Sequence, residues 1–239
     1  MKKFFLIGSG IQGSLSPLIH NFIYNEYSID AEYAVLDIKD LSVLSGINAD
    51  GFNITRPFKQ TILPLLTTDY SGCKSVNTVK VTAGGFDGYS TDGQGFLLDA
   101  KRLMLDLSRV LVLGAGGAAR AVCYALKNEA RQVFVFNRTG KRAKALAEET
   151  EGRYCESITI GNIKKINPSL IINCTDAAVY LDNCAKDYYD LKYIDAQGIG
   201  GMGMLIYQAI LSVQILTGVK LDLDLFGAVK KQIDKAVKL

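Results

Sequence analysis

The residues best suited to chemistry fall into two groups. The first is a glycine cluster, Gly114-Ala115-Gly116-Gly117-Ala118-Ala119, that follows the apolar run Val110-Leu111-Val112-Leu113. The spacing Gly114-x-Gly116-x-x-Ala119 suits a strand, a tight turn and a helix start, the setting of a dinucleotide site. Gly114 permits the turn. Gly116 lets a pyrophosphate approach the backbone, and Ala119 allows close helix–strand packing. The helix N-terminus adds open N–H groups and a positive dipole end. About 20 residues on, a second strand over 132–136 ends at Asn137-Arg138-Thr139, with Lys141 and Arg142 behind. NAD sites place a carboxylate here for the ribose 2′-hydroxyl. A guanidinium grips a 2′-phosphate instead, so the expected cofactor is NADP. A solvated helix start remains the alternative for Lys141 and Arg142.

The second group is a set of short polar clusters in the first hundred residues. Ser14-Leu15-Ser16-Pro17 sets two hydroxyls at a helix start, where they would donate to a carboxylate or cap the helix. Asn53-Ile54-Thr55-Arg56-Pro57-Phe58-Lys59 follows a strand and puts a lysine just past a proline turn. Asn77-Thr78 ends another short segment, and Thr91-Asp92 lies in a glycine-rich stretch. Taken singly, each reads as a loop.

The elements that must position these groups alternate between β-rich and helical stretches, which predicts an α/β fold with parallel sheets. Strands are expected at 3–7, 31–37 and 50–53, with helices over 16–27 and 39–46 between them. A hairpin is expected from Val76 to Gly88, turning at Gly84-Gly85. A second βαβ series starts near Arg109, with helices over 118–128 and 140–151. Its later strands are expected at Leu170–Asn173 and Lys192–Asp195. Two amphipathic helices, 202–216 and 222–238, close the chain. The expected domains are 1–98, with 206–239 returning to it, and a Rossmann-like 99–205.

Composition narrows the function classes. The 239 residues carry 27 Lys+Arg against 24 Asp+Glu, a net charge of +3, and 49% are hydrophobic. No basic stripe supports nucleic-acid binding. No apolar run reaches the roughly 18 residues of a membrane span. Five cysteines without a CxxC pair, beside a single histidine, argue against a metal site. They read as small buried hydrophobes in a reducing cytoplasm. The histidine, His20, lies four residues beyond Ser16 on the same helix. Packing and function both fit that position.

Taken in order, these motifs resemble the shikimate dehydrogenase family. The match rests on Ser14-x-Ser16-Pro17, Asn53-Ile54-Thr55-x-Pro57-x-Lys59, Asn77-Thr78, Thr91-Asp92-Gly93, Gly114-Ala115-Gly116-Gly117-Ala118 and Asn137-Arg138-Thr139. It weakens after Thr139 and returns at Gly201–Gln208. The resemblance implies two domains around a cleft and reversible, NADPH-dependent reduction of 3-dehydroshikimate to shikimate in aromatic amino-acid synthesis. It also implies a soluble monomer or homodimer. By that resemblance, Ser14 and Ser16 hold the substrate carboxylate, and Asn53, Thr55, Asn77 and Gln208 orient ring hydroxyls. Lys59 and Asp92 bind substrate and form the catalytic pair. Gly114 to Ala118, Asn137 to Thr139, Arg142, Thr175, Ala196 and Gly201 meet the cofactor.

The chain also departs from the family. Ser90 stands where an Asn is usual, and Asp176-Ala177-Ala178 lacks the usual Pro and Gly-Met. After its strand-end aspartate the family continues with a hydrophobic residue, a tyrosine near the substrate and a helix. Counted from Asp195, this chain passes through Ala196-Gln197 into Gly198, so the tyrosine and the helix are expected to be missing. Three readings stay open: a compact shikimate dehydrogenase, a relative shifted to a substrate such as quinate, and a non-catalytic binder.

Overall fold

The computed structural model describes residues 1–179, 181 and 184–237. The chain divides into two compact units, Met1–Thr91 with Ile206–Leu239, and Asp92–Leu205. The division falls at Thr91, a few residues before the expected 98, because the helix that follows packs against the helix after the glycine turn.

The first unit is built on β1 (Lys2–Gly8), α1 (Ser16–Glu26), β2 (Ala31–Asp37), β3 (Gly51–Ile54), β4 (Thr68–Asp69), β5 (Thr78–Thr82) and β6 (Gly85–Tyr89). Its sheet order is β2-β1-β3-β5-β6-β4. The strands β2, β1 and β3 are parallel, whereas β5 runs antiparallel to both β3 and β6. All four residues of β3 are buried, as a central strand requires. The expected helix over 39–46 is a six-residue 3-10 turn, Leu41–Gly46, started by the Asp40 carboxylate on the Ser42 N–H. One side of the sheet holds a core of Ile7, Phe52, Ile54, Phe58, Ile62 and Val79.

The second unit contains α2 (Asp92–Arg102), β7 (Arg109–Leu113), α3 (Gly117–Leu126), β8 (Gln132–Phe136), α4 (Gly140–Glu149), β9 (Arg153–Tyr154), α5 (Ile160–Ile166), β10 (Leu170–Asn173), β11 (Asp187–Asp190) and β12 (Ile199–Gly200). Its strands are all parallel, in the order β12-β11-β10-β7-β8-β9. Fully buried runs such as Val110-Leu111-Val112 fit a sheet covered on both faces.

One expected strand is wrong. Lys192–Asp195 is loop, and the strand lies five residues earlier at Asp187–Asp190. Tertiary packing decides it: Tyr189 is fully buried against Phe96, whereas Ile194 is 53% exposed. Counted from Asp190 instead of Asp195, Leu191 is the hydrophobic residue and Tyr193 follows two positions on. Tyr193 is half-buried.

Two helices close the chain, α6 (Met202–Thr217) and α7 (Phe226–Val237). The expected 222–238 helix begins with a 3-10 turn at Leu223–Leu225, and Lys238 and Leu239 lie outside the described residues. Residues from Ile206 onward belong to the first unit, where α7 packs on α1. No described helix is long and apolar enough to cross a membrane.

A buried carboxylate fixes the second unit near its end. Asp99 accepts from the Tyr189 hydroxyl at 2.7 Å and from Arg102 Nε at 2.9 Å and Nη2 at 2.7 Å. Burial first, and then the Asp99 charge, raise the Tyr189 pKa and keep its hydroxyl a donor. A β-carbon on Gly203 would collide with this carboxylate. Gly203→Ala must therefore displace a locked ion pair. Chemical denaturation should show a loss of about 1–3 kcal/mol, the usual cost of overpacking. Unchanged stability would mean that Asp99 moves freely.

Candidate functional site

In the first unit, the polar groups converge on Asn77, which is 3% exposed. Its Nδ2 donates to Thr91 Oγ1 at 2.8 Å and to Gln208 Oε1 at 3.1 Å. Its Oδ1 accepts from the Thr91 N–H at 2.8 Å. Thr91 Oγ1 donates to the Gln208 carbonyl at 3.0 Å. Asn77 thus clasps the residue where the chain leaves this unit and the helix by which it returns. The sequence marks Thr91 as part of a motif, and the structure gives it this joining role.

Asn53, on β3, is buried beside Asn77. Its Nδ2 lies 2.9 Å from the Asn77 carbonyl, 3.0 Å from Thr78 Oγ1 and 2.8 Å from Ser212 Oγ. Its Oδ1 accepts from the Tyr33 hydroxyl at 2.7 Å. Both ends of the buried amide are engaged by protein groups, as are those of Asn77, and this sharing ties β2, β3, β5 and α6 together. Sequence reasoning missed Tyr33 and Ser212. Ser212 left a signal: a lone hydroxyl in the apolar run Leu211-Ser212-Val213, one helical turn beyond Gln208.

Thr55 and Lys59 follow β3 on a turn. The Thr55 N–H donates to Ile7 O at 2.9 Å, and Phe58 N–H donates back to Thr55 O at 2.9 Å. A β-carbon on Gly8 would stand 2.5 Å from Thr55 Cγ2, so glycine makes that approach possible. Phe58 and Ile62 are buried anchors on either side of half-buried Lys59, whose carbonyl accepts from Val76 N–H at 2.8 Å.

Ser14 and Ser16 lie 3.2 Å apart through their hydroxyls. Ser16 does not cap α1. It is the first helical residue, Leu15 holds the N-cap position, and the Ser16 N–H donates to Ser14 Oγ at 3.2 Å. Pro17 sits in the first turn, where its missing N–H is harmless. Ser90 Oγ is buried without a hydrogen-bond partner.

In the second unit, Gly114 has φ +116° and stands against Thr175 and Cys174. Gly116 is the exposed N-cap of α3, with open space where a β-carbon would lie, and Gly117 begins the helix. Ala118 is half-buried, and Ala119 is fully buried under the helix. The approach to the start of the helix at Gly116 is therefore clear of side chains, which suits a phosphate. At the end of β8, Asn137 Nδ2 donates to Thr139 O at 3.1 Å, while Arg138, Thr139 and Arg142 are exposed. Asn137 and Arg138 line a cavity of about 490 Å³ with Gly140, Tyr154 and Thr159. An exposed guanidinium with no acidic residue in this turn fits a 2′-phosphate.

Thr175 donates to Asn173 Oδ1 from its hydroxyl at 2.7 Å and its N–H at 3.1 Å. Ala196 is half-buried in the loop before β12, and Gly201 is buried against Leu191. Asp92, 4% exposed, opens α2, where a negative charge suits the helix dipole. Of the cysteines, Cys73, Cys123 and Cys155 are buried, and burial pushes the Cys123 thiol up to about 12.

His20 is 1% exposed, stacks on Tyr33 at 3.9 Å between ring centroids, and meets the Tyr24 hydroxyl at 3.5 Å. Burial lowers its pKa to about 3. It packs as a neutral ring behind Asn53. The unfolded chain takes up a proton at His20 below about pH 6.5, and the folded one does so only near 3. His20 therefore withdraws stability as pH falls through that window, at roughly 1.4 kcal/mol per pH unit. Urea unfolding of His20→Leu at pH 7, 5 and 4 should show a shallower fall than the parent chain. Parallel curves would disprove the burial of a neutral His20.

Comparison with known proteins agrees with this division. A family model for the shikimate dehydrogenase substrate binding domain matches residues 6–79, and one for shikimate / quinate 5-dehydrogenase matches 98–186. The shikimate dehydrogenase (NADP(+)) of Caldanaerobacter subterraneus subsp. tengcongensis is 32% identical, covering 93% of this chain and 94% of its own. That alignment runs over 263 residues, more than this chain possesses, so the relative carries segments absent here. The crystal structure of shikimate 5-dehydrogenase from Thermus thermophilus in complex with shikimate superposes with a TM-score of 0.88 at 28% identity, over 100% of both chains. Its complex with NADP(H) and shikimate gives 0.83 at 28% identity, over 97% of this chain and 100% of that one.

Proposed function

This chain belongs to the shikimate dehydrogenase family, and we propose that it catalyses the reversible, NADP-linked interconversion of 3-dehydroshikimate and shikimate. One observation carries the reading. The unit that holds the Asn77–Thr91–Gln208 clasp also carries Ser14, Ser16, Thr55 and Lys59, and such donors suit a small polyhydroxylated carboxylate.

The hydroxyls of Ser14 and Ser16 bind the substrate carboxylate. Thr55, Asn77 and Gln208 orient ring hydroxyls. Asn53 orients them as well, and its amide also holds Asn77 and α6 in place. Gly114 to Ala118 hold the cofactor pyrophosphate, and Asn137, Arg138, Thr139 and Arg142 hold the 2′-phosphate end. Bound NADPH supplies the hydride. The Lys59 ammonium gives a proton to the substrate carbonyl oxygen as that oxygen becomes a hydroxyl, and takes it back in the reverse direction. Asp92 accepts a hydrogen bond from the substrate and directs Lys59. The chain works in the cytoplasm, as a monomer or homodimer, within aromatic amino-acid synthesis.

The test is NADPH formation by purified protein with shikimate, against quinate and NAD controls. Turnover with shikimate and NADP is expected, and Lys59→Ala should lower kcat at least about 100-fold with a small change in substrate affinity. No turnover by the parent chain, or full turnover by a folded Lys59→Ala, would refute the proposed chemistry. Arg138→Asp should raise the KM for NADP far more than that for NAD. An equal rise in both would remove the 2′-phosphate from Arg138.

A further inference from the structure

Two neighbouring parallel strands normally need a connection of a dozen or more residues, most often a helix. Here β11 returns to β12 through residues 191–198 alone. Parallel pairing places Tyr189 beside Ile199 and Asp190 beside Gly200, so the chain backs up by only two residues. Asp195 at φ +51° and Gly198 at φ +70° bend the loop. A β-carbon on Gly198 would stand 2.6 Å from Tyr188 O.

The loop closes on Asp190, whose side chain is fully buried. Oδ1 accepts from the Lys192 N–H at 3.1 Å, and Oδ2 from the Gln197 N–H at 3.2 Å. Lys192 Nζ lies 3.6 Å from the same carboxylate. Asn173 Nδ2, 3.4 Å from Oδ1, also donates to Ala177 O at 3.0 Å, while Asn173 Oδ1 receives both donors of Thr175. One carboxylate thus ties the loop after β11, which carries Ala196, to the turn after β10, which carries Thr175.

Sheet order says what these two segments face. The strand β8 flanks β7 on one side, and β10 and β11 lie on the other. A dinucleotide with its pyrophosphate at the Gly114–Gly117 turn and its 2′-phosphate at Arg138 must extend its other nucleoside over the ends of β10 and β11. We infer that Asp190 is a positioning residue for the nicotinamide half of the cofactor, acting through the short loop 191–198 that it closes. The inference rests on the NADP reading above.

The test measures binding of two probes by calorimetry, whole NADP+ and adenosine 2′,5′-bisphosphate, which lacks the nicotinamide half. Asp190→Asn keeps the size but turns an amide N–H2 toward backbone donors. Losing one charge-assisted hydrogen bond should weaken NADP+ about tenfold or more. Binding of the bisphosphate should change less than twofold. Gly198→Ala strains the same loop without touching the buried carboxylate and should give the same split, even where Asp190→Asn does not fold. Equal loss of both probes, or loss of neither, in a folded variant would overturn the positioning role. If the parent chain binds neither probe, the NADP reading itself fails.

Discussion

The arrangement depends on a geometric constraint that Asn77 satisfies. The chain leaves the first unit after Thr91, builds the whole of 92–205, and re-enters at Ile206. Exit and re-entry must then meet within one unit. A single buried amide does this, with hydrogen bonds to Thr91 and Gln208 of 2.8 and 3.1 Å. Breaking it would leave buried donors and acceptors unpaired, at about 1–3 kcal/mol each. The same amide and its partners are the groups proposed to read the substrate's hydroxyls. Closure of the fold and formation of the site therefore rest on one set of side chains.

Each unit solves its own burial of polar groups. Behind Asn77, the amide of Asn53 is shared among Tyr33, Thr78 and Ser212, and neutral His20 covers Tyr33. In the second unit, Asp99 and Asp190 are buried carboxylates with three or more donors apiece. A buried charge persists only when its lone pairs are filled in this way. Glycine makes the close approaches possible at Gly203 and Gly198.

Much of this was legible in the sequence. The glycine spacing after Val110–Leu113 gave the strand, turn and helix, and Arg138 marked the end of β8. The misplaced strand had a physical cause. Lys192-Tyr193-Ile194-Asp195 carries a β-like pair, Tyr193-Ile194, but so does Tyr188-Tyr189 in the preceding segment, and only tertiary packing against Phe96 selects between them. The role of Asn53 was hidden for a similar reason. A motif shows that an amide is required at a position. It does not show which protein groups share that amide, and Tyr33 and Ser212 lie 20 and 159 residues away.

The interrupted first unit has a consequence for synthesis on the ribosome. Residues 92–205 form an unbroken stretch, so the second unit can fold as soon as it has emerged. The first unit is begun earlier and finished later. Until Gln208 and Ser212 are translated, Asn77 and Asn53 lack their partners on α6, and α1 lacks α7. The order of maturation is thereby inverted relative to the order of the chain, and a nascent polypeptide exposes the sheet of Phe4 and Gly51 until α6 is made and Leu216 arrives to cover it.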